Sequence, residues 1–250
     1  MENLRNLAVW LVVFSVLQQH VAQGQDSVAT APVPVPETAS GFLDFNGYYD
    51  TRDFSVMTIN ALARLQHGFE YFSLTNFQGA KGTSDLSGFY TEQNLRWAPS
   101  RALPLSLTAQ WVIRAGDSND NLFLGFIWRP TDMPKLAPIF RKIHLYYFTN
   151  FHLVGLSEAH SIRYLPQLEH VYRLDLLPKA LPGRLYLAGF ADQNISYHEH
   201  GRVSFKWVTE HQLGVMVLRH FYAVVEYRLN ENLPAESQGV GFGLQYVITY

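Results

Sequence analysis

Val240-Gly-Phe-Gly-Leu-Gln-Tyr-Val-Ile-Thr-Tyr250 is the stretch whose reading decides the fold. Phe242, Leu244, Tyr246, Ile248 and Tyr250 fall on one parity, and Gly243, Gln245, Val247 and Thr249 on the other. Successive side chains of a strand point to opposite faces. Strict period two therefore predicts a strand with one apolar face and one small or polar face. The apolar parity runs through to Tyr250, where the terminal residues of a soluble sheet would fray and turn polar. The expectation is the closing strand of an outer-membrane barrel, with aromatic residues at the lipid interface.

The other end of the chain reads as a targeting segment. Arg5 gives a weak positive start offset by Glu2, and Leu7 to Leu17 is an apolar run. That run falls short of the roughly 20 residues a membrane-spanning helix needs. Ala22-Gln-Gly24 fits a small-residue cleavage site, so residues 1–24 are expected to be a signal peptide. An uncleaved anchor helix is the alternative. Residues 25–41 are rich in Pro and Ala and read as an extended periplasmic linker. Residues 42–250 are then the barrel, in the bacterial outer membrane.

Composition supports this division. The chain has no cysteine, so it draws no stability from disulfides. Its net charge of −2 leaves no basic footprint for nucleic acid. Charged residues are 16% and aromatics 14%. A charge-poor, aromatic-rich chain without a long apolar run after residue 24 fits a β-barrel, in which apolar and polar residues alternate.

Working back from Tyr250, the same alternation recurs. Ala223, Val225, Tyr227 and Leu229 oppose Tyr222, Glu226 and Arg228. Residues 202–218 form one long strand or two. Residues 162–176 put Arg163, Gln167, Glu169, Arg173 and Asp175 on one parity and Tyr164, Leu168, Tyr172 and Leu174 on the other. Residues 143–154 place Leu145, Tyr147, Phe151 and Leu153 outward, with His144, Tyr146, Asn150 and His152 inward; a loop over 130–138 precedes them. Leu105, Leu107, Ala109 and Trp111 alternate with Ser106, Thr108 and Gln110, and Tyr90, Glu92, Asn94 and Arg96 share a parity. Residues 41–52 are a first strand or a segment entering the barrel mouth. The count is eleven or twelve, and the even number typical of bacterial barrels selects twelve antiparallel strands. The expected class is an all-β, transmembrane, up-and-down barrel.

Period alone does not separate inside from outside: a soluble lipocalin-like barrel would bury the apolar parity. Trp and Tyr at strand ends and the closing Tyr250 favour lipid outside and a wet lumen inside. The expected lumen and solute-binding residues are Glu92, Arg96, Tyr146, Asn150, Arg163, Glu169, Arg173, Asp175, Tyr222, Glu226 and Arg228. The inner parity mixes Tyr with Asn, Gln and Arg.

Residues 174–194 (Leu174-Asp-Leu-Leu-Pro through Ala191-Asp-Gln-Asn194) and residues 209–228 with 241–250 resemble the late strands of Tsx-like nucleoside-specific outer-membrane channels. Phe69-Glu-Tyr-Phe-Ser-Leu-Thr-Asn-Phe77 and Glu92-Gln-Asn-Leu-Arg96 are similar in the same order. The resemblance covers about residues 42–250 through strand spacing and aromatic placement. It implies a monomeric twelve-stranded barrel with a narrow channel for nucleosides, without a cofactor. The bilayer and the barrel-assembly machinery would be its partners, and small solutes its cargo.

An outer-membrane hydrolase or acyltransferase is the competing class, and a structural barrel with a plugged lumen is a third. The sequence has no G-x-S-x-G element. His144 and His152 share a parity but lie about 26 Å apart along a strand, too far to act on one bond. His198-Glu199-His200 supplies at most part of a metal site. No catalytic residue and no metal ligand is therefore assigned.

Overall fold

The computed structural model describes residues 40–82, 85–100, 103–116, 119–159 and 161–250. The signal peptide and nearly all of the linker expected from sequence lie outside these residues. Strand β1 (Ser40–Asp50) pairs antiparallel with the last strand, β13 (Gln238–Thr249), from Phe42↔Thr249 to Asp50↔Gly241. That seam closes the sheet. The residues read as a first strand or a mouth segment are thus a full stave of the wall.

Between them run β2 (Phe54–Arg64), β3 (Phe69–Gln78), β4 (Gly88–Trp97), β5 (Leu105–Arg114), β6 (Asn121–Trp128) and β7 (Leu145–Ser157). Then come β8 (Ile162–Tyr164), β9 (Gln167–Asp175), β10 (Leu185–His198), β11 (Val203–Leu218) and β12 (Phe221–Asn230). β8 and β9 lie in line and both pair with β10. The thirteen strands therefore make twelve staves of one closed antiparallel barrel. Residues 203–218 are one continuous strand.

The faces sort by polarity. Leu95, Leu105, Leu107, Trp111, Leu122, Leu124, Phe242 and Leu244 are exposed on the outer face. Asn46, Thr58, Asn94, Thr108, Gln110, Asn150 and Gln245 are buried inside. This is the inverse of a soluble barrel, and it suits a lipid exterior. Outward ring pairs gather near both ends of the staves. Phe69–Trp97 and Phe221–Tyr246 lie toward the end holding the termini, and Phe77–Phe89, Tyr164–Tyr197 and Phe205–Trp207 toward the other. Polar atoms on the outer face find lateral partners, as hydrocarbon requires. Thr75 Oγ1 meets Thr91 Oγ1 at 2.8 Å, Tyr147 Oη meets His170 Nδ1 at 2.6 Å, and Tyr172 Oη meets His211 Nδ1 at 3.0 Å. No helix among the described residues is long and apolar enough to cross a membrane, which says nothing against crossing by strands.

Three local expectations change. The loop before β7 contains a 3-10 turn (Pro130–Asp132) and a short helix α1 (Ala137–Lys142). His144 follows it with φ of 54°, in a turn rather than on an inward strand face. β7 carries a bulge: Leu124 pairs with Val154 but Gly125 with His152, leaving Leu153 as an extra residue. Finally, the expected strand over 162–176 is interrupted at Leu165-Pro166. Proline has no N–H for the ladder. Ile162 and Leu165, three apart, both pack into the inner cluster with Val112 and Phe123, so strict alternation fails between them.

Candidate functional site: the barrel lumen

The lumen is built from the even positions of β1–β5, of β7 up to its bulge and of β10–β12, and from the odd positions of β6, β9 and β13. Their side chains fall into two groups.

The first group lines β1, β2 and β10–β13. Tyr48 Oη donates to Gln212 Oε1 at 2.9 Å, Gln212 Nε2 donates to Tyr186 Oη, and Tyr186 Oη donates to Gln245 Oε1. Gln245 Nε2 continues the chain to Asp44 Oδ2 at 2.9 Å. Tyr48 and Tyr186 are buried, in one cluster with Tyr222 and Val224. Tyr186 fits because its cross-strand partner is Gly214, where a Cβ would stand 2.3 Å from the ring. Arg173 lies over the Tyr186 ring at 4.1 Å and pairs with Asp175 at 3.3 Å. Arg228 bonds Glu226, reaches Glu210 at 3.4 Å, and sits 5.2 Å over the Tyr48 ring.

The second group lines β3–β10. Arg96 bonds Glu70 at 3.0 Å and lies between the Phe72 and Phe148 rings, 5.1 and 5.5 Å from their centroids. Glu92 accepts from Tyr90 Oη and, at 2.8 Å, from Gln110 Nε2. Asn150 donates to Glu169, its register partner. Asp192 is the register partner of Glu169 on the next strand. His152 is buried, stacked on Phe123 at 5.2 Å, with Nδ1 on Gln167 at 2.9 Å.

At the end opposite the termini the lumen opens into a cavity of about 990 Å³ with Glu92, Gln110, Asp192, Glu210 and Arg228 in its lining. Loops bridge this mouth. Arg52 pairs with Asp50 at 2.8 Å and donates to the Glu236 carbonyl, while the Glu236 carboxylate pairs with Lys81. That carboxylate raises the Lys81 ammonium above its ordinary pKa. Toward the terminal end, Tyr146 is 47% exposed, and the Arg173–Asp175 pair is similarly open. Between the two openings, Asn94, Asn150, Tyr186 and Glu226 are at most 1% exposed. Side chains fill the mid-section of the barrel.

Ten of the eleven expected lumen residues stand on the inner face. Arg163 does not join them: it is exposed on β8, beyond the Leu165-Pro166 break. Asp44, Tyr186 and Asp192 were not singled out from sequence. Their strands carry the same parity signal (Asp44, Asn46 and Tyr48; Tyr186, Asp192 and Asn194), which a reading of β1 and β10 by alternation would have found.

Enzyme-like arrangements are incomplete. His198 Nε2 lies 2.8 Å from Ser204 Oγ at the rim. Among the described residues nothing bonds the other ring nitrogen, the role that fixes the base in a triad. No group of three or more His, Asp or Glu among the described residues is placed to hold a metal ion.

The sequence matches no protein-family model and no curated protein. The fold is similar to solved outer-membrane porins. The NanC porin aligns with a TM-score of 0.54 at 8% identity, over 83% of this chain and 99% of that one. The KdgM porin aligns with a TM-score of 0.49 at 13% identity, over 82% and 98%. An outer-membrane channel of Pseudomonas putida F1 aligns at 0.38 and 10%, over 91% and 100%. The likeness to the NanC porin is one of fold: a porin-type outer-membrane β-barrel.

Proposed function

We propose that the protein is a bacterial outer-membrane channel for small polar solutes, with nucleosides as the first candidate class. One observation carries the reading: a closed barrel with an apolar exterior encloses a lumen lined with Tyr, Gln, Asn and paired charges. Hydrocarbon rejects the inner surface and water rejects the outer one, so the wall separates a polar interior from lipid. The porin-like fold supports the same class. At the terminal opening the half-exposed Tyr146 and its register partner Arg173 offer a stacking surface beside a hydrogen-bonding group, which a base and a ribose require. The chain is exported by a signal peptide removed after Gly24, inserted by the barrel-assembly machinery, and works as a monomer without cofactor or catalysis.

Liposome swelling tests this reading. Vesicles holding the refolded protein should swell faster in isotonic adenosine or uridine than in a disaccharide of similar size. Equal and negligible swelling in all solutes would sink the channel reading and leave a plugged structural barrel.

A further inference from the structure

The lumen does not treat its charges evenly. Asp50, Glu70, Asp175, Glu210 and Glu226 each have an arginine within ion-pair distance. Glu92 on β4 and Glu169 and Asp192 on β9 and β10 have no ion-pair partner among the described residues, yet they face one another across the lumen. Glu169 and Asp192 are register partners on β9 and β10, and the three carboxyl groups are near enough to influence one another.

The amides around them sharpen the point. Gln110 spends its NH2 on Glu92, and Asn150 spends its own on Glu169. The carbonyl oxygens of both amides are buried and have no donor, and neither has Asp192 Oδ1. Gln110, Asn150 and Asp192 are each more than nine-tenths buried. Three carboxyl groups and two amide oxygens line this side of the lumen; the unpartnered nitrogens of the same group, on Asn94, Arg96 and His152, bring one guanidinium, already paired with Glu70. A buried acceptor without a donor costs about 1–3 kcal/mol, more when charged, so the arrangement calls for a ligand that brings donors or positive charge. Arg96 acts on Glu169 and Arg114 on Glu92, but the three carboxyl groups outnumber these cations, so an anion is disfavoured there. The carboxylates are not arranged to chelate a metal ion, so the ligand is a hydrated or organic monocation rather than a tightly held divalent one.

We infer that Glu92, Glu169 and Asp192, with the Gln110 and Asn150 carbonyls, form a monocation-selecting constriction beneath the open cavity, suited to alkali ions and small protonated amines. This rests on the channel reading above and narrows it: cationic solutes pass in preference to anionic ones. Acidic rings select cations in pores by the same field effect.

The test has two readouts. In planar bilayers under a KCl gradient, the wild-type reversal potential should favour K⁺ over Cl⁻. In the isosteric Glu92→Gln/Asp192→Asn variant that permeability ratio should fall at least about threefold. Independently, ammonium or potassium chloride should raise the melting temperature of the refolded wild type above that in equimolar choline chloride, which has no N–H donors; the double variant should lose the difference. Conductance without cation preference, or a preference the variant leaves unmoved, overturns the inference and spares the channel. Absence of all conductance overturns the channel reading, and the melting series then decides the site. No cation-specific shift, or one equal in both proteins, overturns it too.

Discussion

Arg228 holds two carboxylates at once. Its guanidinium holds Glu226, which is fully buried, and Glu210, while resting over Tyr48. Removing one partner of a buried pair leaves an uncompensated charge and costs about 3–5 kcal/mol, whereas replacing both by apolar groups can be neutral. Arg228→Met should therefore lower unfolding stability in urea by that amount, and Arg228→Met with Glu226→Leu should recover most of it. A single variant as stable as wild type would show that the pair does not hold the lumen wall. Arg96 differs by degree. Glu70 keeps about a fifth of its side-chain surface open, and the two flanking rings add cation–π contact. Arg96→Leu should cost less, about 1–3 kcal/mol on the same measurement. By contrast the Arg173–Asp175 pair is roughly 40% exposed on both sides. Its removal should shift ion selectivity with little change in stability.

At the level of single elements, the seam and the β8–β9 junction define what is distinctive. Gly41 and Tyr250 exchange backbone hydrogen bonds at 2.9 and 3.1 Å, and the Tyr250 hydroxyl crosses β1 to the Leu62 carbonyl. A Cβ on Gly41 would lie 1.8 Å from that carbonyl and 2.9 Å from the hydroxyl. Gly41→Val should thus prevent seam closure, seen as loss of the heat-modifiable folded band on cold gels. Folding at the wild-type yield would contradict this account of the seam.

Face assignment is testable on β9. A cysteine at position 173 should react with a water-soluble thiol reagent in intact membranes, and one at 174 should not. The reverse pattern would invert the barrel's inside and outside. Alternation made most staves legible because each has a wet face and an apolar face. It failed where that periodicity stops: at Leu165-Pro166, which detached Arg163 from the lumen row, and at the β7 bulge. The helix at Ala137–Lys142 is too short to show a helical period. The convergence of Glu92, Glu169 and Asp192 was also hidden, because they sit on β4, β9 and β10 and meet only once the barrel closes.

The barrel is a wall with a filled waist. Its cavity at one end narrows onto tyrosines and amides whose packing leaves Tyr186 and Glu226 inaccessible. Conductance should therefore be small, and it should depend on how those side chains fit. Tyr186→Ala would remove the ring that links Gln212, Gln245 and Tyr222, and should raise conductance. The most direct test of the central claim is single-channel recording of the refolded wild-type protein in a planar bilayer, with nucleoside added to one side. The account predicts discrete small steps of current that nucleoside reduces as it occupies the lumen. A bilayer that stays silent while the protein is folded and inserted would contradict it.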